Sequence, residues 1–311
     1  DLSRGIPSHD RLNAVLAAIN PSEFEACLLG WITALHEITE GQEVAIDGKT
    51  LRRSFEAASS KSAIHMDSAW ATANHISLGQ VVVDAKSNEI TAIPKLLTML
   101  EIAGSLVTID AMGCQTDIAE TIVEAEADYV LAVKENQKTL YKGISWFFLT
   151  KREQNFRGVR VSRHETQEKG HGREETRKYY VCAVPKDLPD RKPWPKLAAI
   201  GWTISTTIRD GRTCQAMRYY IMSRKLSAKQ FAAAVRGHWS IENSLHWQLD
   251  VTFQEDQSRL RRGHADTNFS ILRRTALSLL KKEPTLKVGV KNKRLTAGWD
   301  DDYLRKVLFG K

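Results

Sequence analysis

The chain has 311 residues, of which 42% are hydrophobic, so it can bury the core of one large domain or two smaller ones. Its 45 Lys and Arg residues exceed its 37 Asp and Glu residues, and the net charge of +8 suits a polyanionic partner without proving one. Its four cysteines form no CxxC pair, which argues against a zinc knuckle and a disulfide framework. No apolar run reaches the roughly 18 to 20 residues of a membrane span, which argues against a membrane protein. We therefore expect a cytoplasmic protein with free thiols and without a signal peptide.

The N-terminal part of the sequence predicts a helix and then a short strand with an aspartate at its end. Asn20 is a typical N-cap, and apolar side chains follow it at helical spacing, which predicts a helix over residues 21–38. The apolar residues 44–46 predict a strand that ends at Asp47. Gly48 is then expected to let the backbone turn sharply after the acid.

The next segment predicts a hairpin, a helix and another strand with an aspartate at its end. Sequence typical of strands between residues 64 and 84 predicts a hairpin with its turn at 78–79. Pro94 is expected to open an amphipathic helix. A buried strand over residues 106–109 follows, so Asp110 also stands at a strand end.

The alternation of helix and strand continues beyond this point. Residues 116–127 show helical spacing of apolar side chains, and residues 129–133 form a continuous apolar run that is typical of a buried strand. Such alternation predicts parallel pairing with right-handed crossovers. The carboxyl ends of these strands should lie along one edge, where open α/β sheets usually carry their sites.

The second half of the chain changes in composition. Residues 155–225 are rich in Arg and Gly and contain runs typical of strands, which predicts a β-rich insertion. Helical patterning returns over residues 226–249 and again over 264–282, whereas the basic residues 287–293 have the composition of a loop. The predicted fold class is α/β, with a mixed sheet flanked by helices and a β-rich insertion before the helix that carries Glu242.

Three acids, Asp47, Asp110 and Glu242, are candidates for a metal site. Carboxylates at the ends of neighbouring strands are close enough to converge, and hard divalent cations such as Mg²⁺ prefer carboxylate oxygens. On a helical wheel Glu242 borders the apolar stripe of its helix, so we expect its side chain to be held against the sheet. For any single aspartate after a strand, a turn or a helix cap is the simpler explanation.

A resemblance to a known family decides between these alternatives. The strings that carry it are AIDGKTLRRS, VTIDAMGCQTDIA, DYVLAVKENQ and RGHWSIENSLHWQLDVTFQEDQSR. They resemble the H-repeat-associated branch of bacterial insertion-sequence transposases, which belong to the RNase H-like DDE superfamily, and the match covers nearly the whole chain. The resemblance implies that Asp47, Asp110 and Glu242 are the catalytic residues and bind two Mg²⁺ or Mn²⁺ ions.

The resemblance also implies an enzyme that cuts and joins double-stranded DNA. Water attacks a phosphodiester at the end of the element, and the freed 3′-hydroxyl attacks target DNA, without a covalent protein intermediate. Two copies of the chain are expected to bridge two transposon ends in a synaptic complex. Family members usually have a longer N-terminal segment, so part of a DNA-end-binding region is expected to lie outside this chain.

The predicted organisation has five parts. They are a helical N-terminal segment over residues 1–40, a first part of the RNase H-like core over 41–154, the β-rich insertion over 155–225, a helical second part of the core over 226–285 and a basic C-terminal tail over 286–311.

Two other functions remain open. A catalytically silent or domesticated relative would bind DNA without cutting it, but the presence of all three acids counts against this alternative. A host RNase H-like, structure-selective nuclease would keep the metal ions and would lack strand transfer.

Polar and basic residues near the three acids are candidates for DNA contacts. They are Lys49, Lys134, Asn136, Gln137, Arg236, His238 and Asn243. A turn explains Asn136 equally well. Related insertion-sequence families have a Tyr, an Arg and a Lys around the catalytic Glu where this chain has Val235, His238 and Leu249. Arg236 and a protonated His238 are the candidate substitutes for that phosphate contact.

Other side chains near Glu242 have two possible roles. His238, Glu242 and His246 share a helix face, as zinc ligands can, but the HExxH arrangement is absent, so structural or DNA-contacting histidines are the better interpretation. Trp239 and Trp247 are expected in the core, with stacking on an extruded base as the alternative.

The insertion carries arginines that suit phosphate contacts. They are Arg157, Arg160, Arg163, Arg173 and Arg177. A solvated basic face is nearly as good an explanation. Trp194 and Trp202 are expected in the core rather than wedged into DNA.

Overall fold

The computed structural model describes residues 5–35, 42–50, 65–73, 75–83, 89–170 and 172–310. The strands found there are β1 (Glu43–Thr50), β2 (His65–Ala71), β3 (Ile76–Val83), β4 (Leu106–Ile109), β5 (Asp128–Val133), β6 (Val161–Gly170), β7 (Arg173–Ala183), β8 (Ala199–Arg209) and β9 (Arg212–Met222). The helices found there are α1 (His9–Ala18), α2 (Pro21–Leu35), α3 (Glu89–Thr98), α4 (Thr116–Glu124), α5 (Lys138–Glu153), α6 (Ala228–Ile241), α7 (Trp247–Val251), α8 (Ala265–Lys282), α9 (Val290–Trp299) and α10 (Asp301–Phe309). A π-helical segment, Glu242–His246, joins α6 to α7.

The described strands form one mixed sheet in the order β3-β2-β1-β4-β5-β9-β8-β7-β6. β1 pairs with β4 and β4 with β5 in parallel, as the alternation of helix and strand predicted. The other pairs with a described register are antiparallel. The predicted α/β class, a mixed sheet flanked by helices, is therefore confirmed.

The β-rich segment adds two long hairpins to the sheet. Asp210 and Gly211 join β8 to β9, and both have a positive φ, of 50° and 72°. A two-residue hairpin turn of this type needs positive φ at both positions, and Asp-Gly is one of the sequences that adopt it most readily. The predicted β-rich character of this part of the chain is confirmed.

Residue contacts divide the chain into two units, and the unit of Glu40–Ile46 and Glu101–Trp239 has its own core. On one face of its strands, Phe231 of α6 packs edge-on against Tyr179 and Tyr220. A Cβ on Gly201 would lie 2.6 Å from the Phe231 ring, so the glycine allows α6 to approach β8 closely.

The opposite face of these strands packs against α5. The ring of Phe148 lies 5.5 Å from that of Trp202, which in turn stacks on Tyr219. Trp202 and Trp194 are both buried. The prediction that these two tryptophans pack in the core is confirmed.

The other unit consists of Asp1–Thr39, Asp47–Leu100 and Ser240–Lys311. Its β3 is an edge strand of the sheet, and side chains from two helices satisfy backbone groups of that edge. The N–H of Gln80 donates to Glu25 of α2 at 2.8 Å, and the N–H of Ser77 donates to Ser278 of α8 at 3.2 Å. Such contacts protect an edge from pairing with another chain.

The hairpin of β2 and β3 exists, but its predicted turn position is wrong. The chain turns between Ala71 and Ile76, whereas residues 78–79 lie inside β3. Gly79 is needed for packing instead of turning, because a Cβ there would lie 3.1 Å from Leu100.

Two further boundaries differ from the prediction. Pro94 lies inside α3, which already begins at Glu89. The loop predicted for residues 287–293 is wrong from Val290 onwards, where α9 begins. The buried ammonium of Lys293 donates to the carbonyls of Leu280, at 3.1 Å, and of Glu283, so it satisfies carbonyl groups at the end of α8.

The predicted N-cap of α2 is confirmed. The N–H groups of Ser22 and Glu23 donate to Asn20 Oδ1 at 3.0 and 3.3 Å. The predicted end of this helix at residue 38 lies outside the described residues. Within the described ranges, no helix is long and apolar enough to cross a membrane. The five-part division of the chain stays a prediction.

Candidate active site

Asp47 lies inside β1 and not at its end. The strand continues through Gly48 as far as Thr50, so the predicted sharp turn after the acid is wrong. Pairing along a sheet holds the backbone of Asp47 on both sides of its Cα, which fixes the direction of its side chain more firmly than a loop would.

Gly48 faces three polar side chains, His65, Asp67 and Glu89, which we call the His65 cluster. A Cβ on Gly48 would lie 2.5 Å from His65 Nε2, 2.7 Å from Glu89 Oε1 and 2.8 Å from Asp67 Oδ1. His65 Nε2 lies 2.6 Å from Glu89 Oε1, and the interaction with this carboxylate raises the pKa of His65 although burial lowers it. This cluster was not predicted from the sequence, and the acid within an apolar strand, Asp67, is the signal that could have shown it.

Glu242 begins the π-helical segment between α6 and α7. The N–H of Trp247 donates to the carbonyl of Glu242, five residues back, so this turn is wider than an α-helical one. A helical wheel assumes regular α-helical spacing, so it does not predict the side-chain directions in this wider turn correctly. The side chain of Glu242 is 63% exposed, so the expectation that it is held against the sheet is wrong.

The two tryptophans beside this segment are also more exposed than predicted. Trp239 is 49% and Trp247 is 53% exposed, so neither packs in the core. The guanidinium of Arg218 lies 5.0 Å from the centre of the Trp239 ring. The alternative of stacking on an extruded base therefore remains open for both.

Asp47 and Glu242 meet at His246. His246 Nδ1 lies 3.2 Å from Glu242 Oε2 and 3.5 Å from Asp47 Oδ2. Burial, together with the charges of Arg274 and Lys49, lowers the pKa of His246 to about 3, so the imidazole is neutral near pH 7. His246 was predicted to be a structural or DNA-contacting histidine, with zinc binding as the alternative, and its spacing of four residues from Glu242 was the signal for this contact.

Asp110 follows β4 directly, as predicted, and begins a tightly held loop. Its Oδ1 accepts a hydrogen bond from the N–H of Met112 at 2.8 Å. Asn136 Nδ2 donates to the carbonyl of Ala111 at 2.7 Å, and Gln137 Nε2 donates to that of Cys114 at 2.9 Å. Asn136 and Gln137, which were predicted to contact DNA, thus hold the loop that follows Asp110.

His238 lies beside β4. Its Nδ1 is 3.3 Å from Thr108 Oγ1. Burial lowers the pKa of His238, and the charge of Asp110 only partly offsets this effect. A protonated His238 at neutral pH, one of the two predicted substitutes for a phosphate-binding Arg, is therefore disfavoured.

The remaining predicted DNA contacts differ in their surroundings. Lys49 is buried and its ammonium is paired with carboxylates of the protein, which disfavours a phosphate contact. Arg236 pairs with Glu168 at 3.0 Å and stays half exposed. Lys134 and Asn243 are exposed.

The arginines of the β-rich segment are partly neutralised within the sheet. Arg177 lies 2.6 Å from Glu175 and 3.0 Å from Glu168, and Arg173 lies 3.6 Å from Glu175. These pairs favour a solvated, internally paired surface for Arg173 and Arg177. A phosphate contact by the other three predicted arginines stays a prediction.

The architecture defines a class of protein. The nine-stranded mixed sheet flanked by helices is the RNase H-like fold that the sequence resemblance implied. Enzymes of this class act on nucleic acid.

Comparison with known proteins identifies the family. Residues 39–279 match the family described as "Transposase DDE domain", and the chain belongs to that family. It is similar to "Putative protein YbfL" of Escherichia coli (strain K12), with 42% identity over 100% of this chain and 82% of the relative. It is also similar to "H repeat-associated putative transposase YhhI" of the same strain, with 41% identity and the same coverage. "Putative transposase YncI" of Escherichia coli O157:H7 is 43% identical over 99% of this chain and 79% of the relative.

Family membership defines the general activity. The chain is a DDE-type transposase, an enzyme that binds and acts on DNA, and such enzymes generally use divalent metal ions. Among the described residues, two groups have suitable ligand atoms, namely Asp47, Glu242 and His246 on the one hand and the His65 cluster on the other.

Proposed function

We propose that the chain cleaves DNA at the ends of an insertion sequence and joins the freed ends to target DNA, with Asp47, Asp110 and Glu242 together holding two Mg²⁺ or Mn²⁺ ions. The observation that carries the proposal is that Asp47, from a strand, and Glu242, from a helix far along the chain, approach the same atom, His246 Nδ1. Two copies of the chain bridge two element ends in this proposal.

The donor atoms of this group fit a divalent cation. Asp47, Glu242 and His246 offer two carboxylate oxygens and one imidazole nitrogen, all within 4.8 Å of one another. Carboxylate oxygens are the ligands that Mg²⁺ and Mn²⁺ prefer, and an imidazole suits transition metals. The same chemistry disfavours a thiolate-type zinc site.

The register of the parallel strands supports the inclusion of Asp110. β1 and β4 pair up to Ile46 and Ile109, the residues directly before Asp47 and Asp110. Asp47 and Asp110 therefore each directly follow one residue of a paired position, Ile46 and Ile109, in neighbouring parallel strands.

The residues of the chain have separate tasks in this proposal. When bound, the two ions supply activation of the attacking oxygen and stabilisation of the leaving oxygen. Asp47, Asp110 and Glu242 bind and orient them through carboxylate oxygens. His246, which is neutral, keeps the lone pair of one ring nitrogen available beside Asp47 and Glu242. The exposed Lys134 and Asn243 are the proposed contacts to DNA.

The test is metal-dependent cleavage by amide variants. We expect Asp47→Asn, Asp110→Asn and Glu242→Gln each to abolish Mg²⁺- and Mn²⁺-dependent nicking of a supercoiled plasmid that carries the DNA flanking the coding sequence. Circular dichroism should show an intact fold in all three. Glu120→Gln, which changes an exposed acid on α4, is the control and should keep full activity. Full activity in Asp110→Asn would contradict the assignment.

A second assay separates the proposal from its two alternatives. The protein is given a precut element end with a free 3′-hydroxyl together with target DNA. Joined product supports strand transfer. Cleavage without joining would identify an RNase H-like nuclease, and DNA binding without cleavage or joining would identify a catalytically silent relative.

A further inference from the structure

A group of charged side chains lies buried beside the candidate metal site, and we call it the Lys49 network. Its members are Lys49, Asp250, Glu255, Ser270 and Arg274. Lys49 Nζ donates to Asp250 and lies 3.1 Å from Glu255 Oε2. The other oxygen of Glu255 lies 3.0 Å from Arg274 Nη1 and accepts from Ser270 Oγ at 2.7 Å.

The charges of Lys49, Glu255 and Arg274 are buried and contact one another. The side chains of Lys49, Glu255 and Arg274 are 9%, 0% and 2% exposed. Burial alone would raise the pKa of Glu255, but the charges of Arg274 and Lys49 and the hydrogen bond from Ser270 outweigh burial and lower the pKa to about 2. Such a group is stable only while every partner stays in place. The ion pairs of Lys49 with Asp250 and Glu255 and of Glu255 with Arg274 therefore restrain the elements that carry these residues.

The elements that the network joins are those that carry two of the candidate metal ligands. Lys49 lies two residues after Asp47 in β1, so both side chains are on the same face of the strand. Asp250 lies in α7, directly beyond the π-helical segment that begins with Glu242. The bond from Lys49 to Asp250 thus connects the strand of Asp47 to the helix that follows Glu242.

The π-helical segment explains why such a connection is needed. Its wider turn lacks the regular hydrogen bonding of an α-helix, and the side chain of Glu242 is largely exposed, so packing does not hold it. The nearest fixed point along the chain is α7, where Leu249 is completely buried and Asp250 contacts Lys49.

We infer that Lys49 and Asp250 are positioning residues that fix the distance between the carboxylates of Asp47 and Glu242 and thereby set the metal affinity of the site. This role replaces the DNA contact that the sequence predicted for Lys49. The inference rests on the proposed function, because it takes Asp47 and Glu242 to be metal ligands.

The test is Mn²⁺ binding by the protein alone, measured by calorimetric titration without DNA. Lys49→Met removes the ammonium and keeps a long side chain. We expect Mn²⁺ to bind about 10–100-fold more weakly, the range found when groups that orient metal ligands are changed. Lys49→Arg keeps the charge and should recover part of the affinity.

A matched control comes from a second buried lysine of the same unit. Lys293 of α9 donates to the carbonyls of Leu280 and Glu283 and touches neither Asp47 nor Glu242 in the described structure. Lys293→Met should lower the melting temperature and leave the Mn²⁺ affinity unchanged. If Lys49→Met does not fold, Asp250→Asn tests the same connection at a partly exposed position, where a smaller loss of affinity is expected.

The outcomes separate this inference from the proposed function. The inference is overturned if Lys49→Met or Asp250→Asn binds Mn²⁺ with wild-type affinity. It is also overturned if Lys293→Met loses as much Mn²⁺ affinity as Lys49→Met does. Asp47→Asn and Glu242→Gln are titrated in parallel. If both lose Mn²⁺ binding while Lys49→Met keeps it, only the inference fails. If the wild type binds no Mn²⁺, or if both amide variants bind it normally, the proposed function fails together with the inference.

Discussion

At Gly48 the backbone of β1 passes so close to the His65 cluster that a side chain does not fit. Gly48→Ala would place a Cβ 2.5–2.8 Å from atoms of three side chains. Alanine is usually better than glycine inside a strand by roughly 0.5–1 kcal/mol. Here we expect the opposite, a loss of about 1–3 kcal/mol in the free energy of unfolding, because the added methyl group overpacks the site.

Urea denaturation measures this change. The control is Gly170→Ala at the end of β6, where an added Cβ would have no atom within 4 Å. Equal stability of the two variants would show that the close approach at Gly48 does not exist.

Glu43 makes the stability of its unit depend on pH. Burial, opposed only in part by a hydrogen bond with the backbone of His238, raises the pKa of Glu43 to about 8. Between about pH 4.5 and pH 8 the unfolded chain has lost this proton while the folded chain keeps it, so stability falls as the pH rises, by at most roughly 1.4 kcal/mol per pH unit.

Glu43→Gln mimics the protonated carboxyl and removes this dependence. We expect the melting temperature of the variant to exceed that of the wild type by a margin that grows from pH 5 to about pH 8. Glu120→Gln, at an exposed position of α4, is the control. A margin that stays constant with pH would contradict a protonated Glu43.

At the scale of elements, the placement of α6 depends on one glycine. The ring of Phe231 occupies the space that a Cβ on Gly201 would need. We expect Gly201→Ala to cost about 1–3 kcal/mol. In combination with Phe231→Leu, which shortens the opposing side chain, the cost of Gly201→Ala should shrink. A double-mutant cycle by urea unfolding measures this coupling, and strictly additive effects would contradict the contact.

The types of most elements follow from periodicity, whereas several boundaries do not. The strand over residues 106–109 is found where its continuous apolar run predicts it. Gly79 and Pro94 were interpreted as signals of a turn and of a helix start, because the sequence does not show which side chains approach a glycine or where a helix gains tertiary support. In both cases tertiary packing overrides a local signal.

The sequence predicts which residues form the candidate site, but it does not predict how their side chains are arranged. The motif names Asp47, Asp110 and Glu242. The π-helical segment has a wider turn than an α-helix, so a helical wheel with regular α-helical spacing predicts the wrong direction for the side chain of Glu242. Lys49 and Asp250 are 201 positions apart, and no local pattern connects residues at that separation.

At the scale of the whole molecule, the central claim is that three acids from distant parts of the sequence share one divalent-metal site. A crystal structure of the protein with Mn²⁺, located by its anomalous scattering, tests this claim most directly. We expect Mn²⁺ within roughly 2–2.5 Å of carboxylate oxygens of Asp47, Asp110 and Glu242. Mn²⁺ bound only at the His65 cluster, or bound by Asp47 and Glu242 with Asp110 turned away, would contradict it.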